Sequence, residues 1–351
     1  MEFKRLGDYI RPVDVRNRDL KVNLSQGICN AKYFQNPKQV ADNPETHKVV
    51  KTGQFAYNRA TTRNGEKISI ALREGLDCTV SSAYQVFEIV DENQLDPKYL
   101  MMWFKRPEFD RLAIYYSHGS AHEFFEWDAM CDVKFPVPSI NRQHEIVAEY
   151  ETLANRIRLN EQMIEKLEAT AQALYRKMFV DGVDMEHLPE GWRRGRIEEI
   201  AEIKNGKSIL PVKGGFPVYG GNGIVGCTDK PNAKGIVVIG RVGINCGSLF
   251  LHQGECYVND NAMMAIPKDS NLIYLYWSLK QTDLNSQSEG SSQPLLTQSI
   301  IYKQECIIPN KALRADFDNQ GQIIYRNIFL LEQENDKLTE LQSLLLARMG
   351  K

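Results

Sequence analysis

An excess of positive charge is the first thing this sequence lacks: 43 Lys and Arg stand against 45 Asp and Glu, for a formal net charge of −2. A chain that grips nucleic acid unaided usually carries a clear surplus of Lys and Arg, and this one does not. Long apolar runs are missing too, none approaching the roughly 18 residues of a membrane span. The opening Met1-Glu2-Phe3-Lys4-Arg5 has no apolar core of a signal peptide, and the expected location is the cytoplasm. The seven cysteines are odd in number and form no Cys-x-x-Cys pair, which predicts buried thiols rather than a disulfide framework. Catalytic signatures are absent: no Asn-Pro-Pro-aromatic run, no Gly-x-Ser-x-Gly elbow, no His-Glu-x-x-His. What remains is 351 residues, 42% hydrophobic and 25% charged. That composition excludes disorder and suits two domains with a core each.

The chain is written twice. A shift of 171 lays Ser117-His118-Gly119-Ser120 over Ser288-Glu289-Gly290-Ser291 and Pro138 over Pro309. Between 155 and 178 it gives eight identities in twenty-four positions, among them Glu161-Gln162 over Glu332-Gln333. Upstream the shift grows. Tyr99-Leu100 meets Tyr274-Leu275 at 175, Cys78 and Val80 meet Cys256 and Val258 at 178, and Arg59 meets Arg241 at 182. An ordered series of this kind reads as one domain duplicated, with loops of unequal length.

Each copy opens with about 130 residues rich in Gly, Asn, Tyr and β-branched residues. The stretches 49–57, Thr79-Val80, Tyr84 to Ile89 and Gly235 to Gly240 read as short strands, and Tyr99 to Phe109 and Ile273 to Lys280 as short helices. A proline exit follows, at Pro136 and Pro138 in one copy and Pro309 in the other, and then a long helix. In the first helix Ile146, Tyr150, Leu153, Ile157, Asn160, Ile164, Leu167, Ala171, Leu174 and Met178 alternate steps of four and three. That is a coiled-coil seam. A weaker seam runs through Ile324, Ile328, Leu331, Asn335, Leu338, Gln342, Leu345 and Met349. The predicted layout is domain 1 at 1–139, helix 140–180, linker 181–191, domain 2 at 192–310 and helix 311–351. The fold class is therefore α+β: two pseudo-repeated mixed α/β domains separated by two long antiparallel coiled-coil helices.

Two patterns mislead. Gly221-Asn-Gly223-Ile-Val-Gly226 satisfies a dinucleotide fingerprint, but Cys227-Thr-Asp-Lys-Pro231 follows where the mechanism needs a helix. A turn between strands is the better reading. His118 and His122, with Glu123 beside them, have metal-ligand spacing, yet their counterparts in the repeat are Glu289 and Gln293. We expect no metal site and no catalytic residue.

The run Phe216 to Gly226, then Val238-Ile-Gly-Arg-Val-Gly243, Val258-Asn-Asp-Asn-Ala262 and Gly290-Ser-Ser-Gln-Pro-Leu-Leu-Thr297, resembles a target-recognition domain of type I restriction–modification specificity subunits. Leu188-Pro-Glu-Gly-Trp192 is similar to that family's domain opening. In the first copy Val80-Ser-Ser-Ala-Tyr84 and Pro138 to Ile146 are the matching landmarks. The first copy lacks the Pro-x-Gly-Trp opening, and Arg314 replaces the Gln of the second helix start, which leaves that start uncertain. The resemblance implies a non-enzymatic reader of a split site in double-stranded DNA, one half-site per domain. It also implies two methyltransferase (modification) subunits docked on the helices, and restriction subunits beyond them. S-adenosylmethionine, ATP and Mg would belong to those partners, and none to this chain. Working instead with a fused methyltransferase–nuclease is an alternative, as is a coiled-coil scaffold that binds no DNA.

Base readers have no motif, because they vary with the target. Planar amides, guanidinium groups and other polar side chains in loops are the candidates, since amides and guanidinium groups pair with A and G edges. In domain 1 these are Lys32, Tyr57, Asn58, Arg59, Arg63 and His118; in domain 2, Tyr219, Asn222, Arg241, Asn245, Ser292 and Gln293. Arg59 and Arg241 match in the repeat, so they are expected to hold phosphate or brace the fold.

The 24 matched helical residues span roughly 36 Å, about one turn of DNA. Pairing the seam amides Asn160 and Asn335 makes facing residue numbers add to 495 and puts Gln162 opposite Gln333. A buried amide is costly without a partner, and a paired Asn fixes register.

Overall fold

The computed structural model describes residues 3–37, 43–60, 67–117, 123–210, 212–288 and 294–350. It divides into two compact units, one formed by Met1–Leu159 with Gln333–Lys351 and the other by Asn160–Glu332. The division runs through both long helices, so each unit holds one β-rich domain and half of each helix. Domain borders drawn from sequence at the helix ends miss this, because each helix half buries its apolar stripe on the domain at its own end.

In the first unit the strands are β1 (Phe3–Arg5), β2 (Ile10–Val13), β3 (Gly27–Ile28), β4 (Phe34–Gln35), β5 (Lys48–Val50), β6 (Phe55–Asn58), β7 (Ile70–Leu72), β8 (Cys78–Val80) and β9 (Tyr84–Ile89). Helices α1 (Pro97–Phe104), α2 (Pro107–Tyr115) and α3 (Trp127–Asp132) precede β10 (Lys134–Pro136) and the long α4 (Ile140–Phe179). The second unit has β11 (Arg193–Arg196), α5 (Ile197–Ile200), β12 (Ala201–Asn205), β13 (Phe216–Gly220), β14 (Gly223–Thr228) and β15 (Ala233–Gly240). It continues with β16 (Leu249–Val258), β17 (Ala262–Pro267), α6 (Leu272–Lys280), α7 (Gln298–Tyr302), β18 (Glu305–Ile308) and the long α8 (Lys311–Arg348).

The two sheets are built on one plan. The first has order β2-β9-β6-β7 and the second β12-β17-β15-β16, extended by β13 and β14. Strand alternation explains why each sheet is covered on both sides. Phe55, Tyr57 and Phe87 face Phe104 of α1 and Phe109 of α2, while Ala56, Ala71 and Val86 face Val50, Cys78 and Val80. In the second unit Val237, Ile239, Met263 and Ala265 face α6, and Ile236, Val238 and Met264 face Tyr219 and Val258. Each domain closes on itself before its helix departs: β1 pairs with β10 and β11 with β18. α6 is buried all round from Leu272 to Leu279 because sheet and long helices flank it, as expected of a helix with no polar face.

Within each unit the long helices run antiparallel. In the first, Ile146 and Val147 share a core with Met349 and Leu346, and Arg156 grips Glu334 with two bonds of 3.0 and 3.1 Å. In the second, Tyr175 and Phe179 meet Phe317 at ring separations of 5.6 and 5.2 Å. Asn160 is buried, while Gln162 and Gln333 are exposed.

Four sequence expectations need correction. The helix predicted over Tyr99 to Phe109 is two helices, because Arg106 before Pro107 is extended, the conformation a following proline imposes. The strand predicted over 49–57 is broken by a turn at Gly53, whose φ is +87°. Cys227 is exposed on β14, although Cys78, Cys246 and Cys256 are buried as expected. Arg314 does not blur the second helix start. In the first helix, buried Gln143 accepts from the Asp96 N–H and donates to the carbonyls of Gln94 and Pro138, each at 2.9 Å. At the matching place Arg314 pairs with Asp269, and Asn310 caps the helix by accepting from the Leu313 N–H.

Candidate DNA interface

At the end of β6 the chain passes from Tyr57 through Asn58 to Arg59, and at the end of β15 it passes from Gly240 to Arg241. Both exits are held alike. The Arg59 carbonyl accepts from the Phe125 N–H at 2.9 Å, and the Arg241 carbonyl accepts from the Leu296 N–H at 2.9 Å. Isolated bridges join Ala60 to Phe124 and Val242 to Leu295. The matched arginines therefore occupy one structural position, and the loops carrying the other candidates leave from it. Arg63, His118, Ser292 and Gln293 lie outside the described residues, as does His122.

Around Arg59 the geometry is that of a brace open to solvent. Its guanidinium bonds Glu126 at 3.2 Å and stands 5.9 Å over the Phe124 ring. Asn58 turns its amide oxygen onto the Ala60 N–H at 3.1 Å. Arg241 differs. Its backbone N–H donates to the Asn261 carbonyl at 3.0 Å, while its side-chain Nε is buried with no partner among the described residues.

Two first-domain candidates are interior. Lys32 is 7% exposed; its ammonium meets Asp110 at 2.7 Å and donates to the Phe104 carbonyl. Burial pushes its pKa down, and Asp110 opposes that shift. Lys32 thus ties the 29–33 turn to α2 and presents nothing to a base. Tyr57 is fully buried with its hydroxyl unpartnered, and burial pushes its phenol up. In the second domain Tyr219 is buried too, its hydroxyl 3.1 Å from His252 Nδ1, with burial holding the phenol at about 12 and the imidazole below its usual value.

The second domain gathers three turns at one end of its sheet. Asn222 is exposed in the β13–β14 turn, where Gly223 has φ +93°. A strand follows directly, so the glycine pattern is a hairpin and holds no pyrophosphate. The Asn259 N–H donates to the Tyr219 carbonyl at 2.9 Å, which ties that hairpin to the 259–261 turn. Asn261 in turn holds Arg241. Gly243–Asn245 forms a short 3-10 turn whose Gly243 N–H reaches the Pro294 carbonyl at 3.0 Å. Asn222, Arg241 and Asn245 are thereby collected on one lip. The 259–261 turn was missed as a site element; its signal was the shift of 178, which lays it over Ser81-Ser82-Ala83. Among the described residues no group of three potential metal ligands occurs, and no helix is long and apolar enough to cross a membrane.

The second domain's lip of two amides and a guanidinium, with Asn58 and Arg59 at the matched strand end of the first, is suited to hydrogen-bonding base edges and phosphates. The chain matches a family model described as the type I restriction modification DNA specificity domain over residues 19–169 and 189–342. It is 21% identical over 406 aligned residues to the specificity subunit of the type I restriction enzyme HindI of Haemophilus influenzae, covering 87% of each chain. Its fold is similar to the S subunit of a type I restriction–modification system from M. genitalium, with a TM-score of 0.63 at 15% identity, over 100% of this chain and 96% of that one.

Proposed function

The chain belongs to the type I restriction–modification DNA specificity family, and from that premise we propose that it reads a bipartite site in double-stranded DNA, one half-site per domain. The carrying observation is the pair of equivalent strand exits. The arginine is common to both, as a phosphate contact shared by both half-sites requires. Its neighbours differ: Asn58 before Arg59, and Gly240 before Arg241 with Asn245 beyond. Differences at one structural position are what let two copies read unlike sequences.

The chain performs no chemistry itself in this reading. Two methyltransferase subunits dock on the long helices and bring S-adenosylmethionine; restriction subunits bring ATP and Mg. Exposed Leu159, Met163, Phe329, Leu330, Leu341 and Leu344 on the long helices are apolar surface of the kind subunit docking uses. The partners also supply phosphate contacts, since affinity for DNA scales with neutralised phosphates and this chain's net charge of −2 offers none in surplus. The complex works in the cytoplasm, where its DNA is.

The test compares methylated sites in cells with and without the gene. A bipartite adenine motif should vanish with the gene, and replacing residues 1–138 with another specificity subunit's domain should change one half-site alone. An unchanged methylome sinks the reading.

A further inference from the structure

Ile244 is 91% exposed, more than any other large hydrophobic side chain among the described residues. It stands at the apex of the Gly243–Asn245 turn, between Arg241 and Asn245 on the lip of the second domain. Exposed apolar residues are ordinary where a loop is loose. This turn is clamped. The Gly243 N–H reaches the Pro294 carbonyl at 3.0 Å, the Cys246 N–H reaches the Gly243 carbonyl at 3.0 Å, and the Gly247 N–H reaches the Gly240 carbonyl at 2.8 Å. Cys246 Sγ donates to the Arg241 carbonyl at 3.1 Å, and the Asn285 amide donates to the Cys246 carbonyl at 2.7 Å. Cys246, Leu284 and Leu296 are buried, which anchors the base of the turn. Gly243, at φ +73°, makes the reversal that turns the next residue outward.

The fold thus spends five tertiary and local bonds on holding a stiff aliphatic group away from its own core. A β-branched side chain has little χ1 freedom, so it meets a partner already oriented. Its neighbours are a phosphate-holding arginine, Arg241, and an amide suited to a base edge, Asn245, and the one apolar group that bases offer in the major groove is the thymine 5-methyl. We infer that Ile244 is a specificity-determining contact that reads a thymine methyl in the half-site of the second domain. This rests on the DNA reading proposed above. The repeat agrees with such a role: a shift of 182 puts Thr62 in the corresponding position, and an unmatched position is where two readers should differ.

The experiment uses the full chain assembled with its modification subunits and the duplex defined by methylation mapping, with the second half-site identified by domain exchange. Each thymine there is replaced in turn by deoxyuridine, which removes only the methyl group. For the unaltered chain one position should lose about fourfold in affinity, the value of one buried methyl-sized group. Ile244→Ala should lose about as much on the thymine duplex and be indifferent to deoxyuridine at that position. Ile244→Val should keep part of the discrimination, and all three chains should melt alike. A half-site without thymine, insensitivity at every thymine, or deoxyuridine discrimination that persists in Ile244→Ala overturns the inference. Those outcomes leave DNA reading intact, whereas failure of the unaltered complex to prefer its own target would remove the reading on which the inference rests.

Discussion

Replacing Lys32 with methionine separates a structural lysine from a DNA-reading one. The ammonium and the Asp110 carboxylate are each less than a tenth exposed, and Asp110 also accepts from the Ile68 N–H at 3.1 Å. Removing one member of a buried pair leaves the other charge uncompensated, at a cost of about 3–5 kcal/mol. For a unit of this size each kcal/mol lowers the melting temperature by about 2–4 °C, so Lys32→Met should shift the first unit's transition down by roughly 6–20 °C. Changing both partners restores balance. In Lys32→Met with Asp110→Asn, the amide oxygen still accepts from Ile68 and no net charge is buried, so at least about half of the loss should return. Thermal unfolding followed by circular dichroism measures both, beside target affinity of the assembled complex well below the transition. A Lys32→Met chain that melts normally yet binds one half-site weakly would refute the reasoning and return Lys32 to the interface.

Four further outcomes are expected. Arg59→Ala and Arg241→Ala should weaken binding to specific and unrelated duplexes alike, each lowering the salt slope of the binding constant by about 0.9; a loss confined to the cognate site would make them base readers. Asp318, whose carboxylate accepts from the Ile273 and Tyr274 N–H groups at 2.7 and 3.2 Å, is held above the usual carboxylate range by burial. The folded chain therefore keeps that proton more tightly than the unfolded chain, and ionisation at neutral pH opposes folding. Asp318→Asn should melt above the unaltered chain at pH 7, with the gap closing as pH falls from the raised folded-state value into the usual carboxylate range and gone below it, and a gap that widens on acidification contradicts this. Inserting one heptad into both long helices adds roughly 10 Å and should lengthen the spacing between half-sites; unchanged spacing with activity retained removes the helices from that role. Asn160→Leu and Asn335→Leu, measured singly and together, should be non-additive by at least about 0.5 kcal/mol if the two amides set the register, and simple additivity argues against the pairing.

The long helices and the repeat were legible because both are carried by local spacing. A seam of ten positions at steps of four and three needs no knowledge of what lies across it, and two copies of a domain check one another. Tertiary pairing was another matter. Lys32 looks like any loop lysine until Asp110, far along the chain, is brought against it, and no pattern near residue 32 announces that contact. Tyr57 stands beside Asn58 and Arg59 in sequence, although strand alternation already turns it inward with Phe55. The Pro107 break was readable and missed, since a proline there forbids the continuous helix. Ile244 carries no polar signature of a base reader, and its significance depends on the bond from Gly243 to Pro294 and on the buried anchor beneath it.

The first unit is discontinuous in sequence. Its core includes Met349, buried beside Ile146 and Val147, and its last segment, Gln333–Lys351, is separated from Leu159 by the whole of the second unit. During synthesis, at about 5–20 residues per second, the first domain must wait roughly 10–40 s for the segment that completes it. For that interval Ile146, Val147 and Tyr150 lack their Met349 and Leu346 neighbours. The geometry that brings residues 333–351 back onto the first domain makes its last packing step wait until the whole of the second unit has been synthesised.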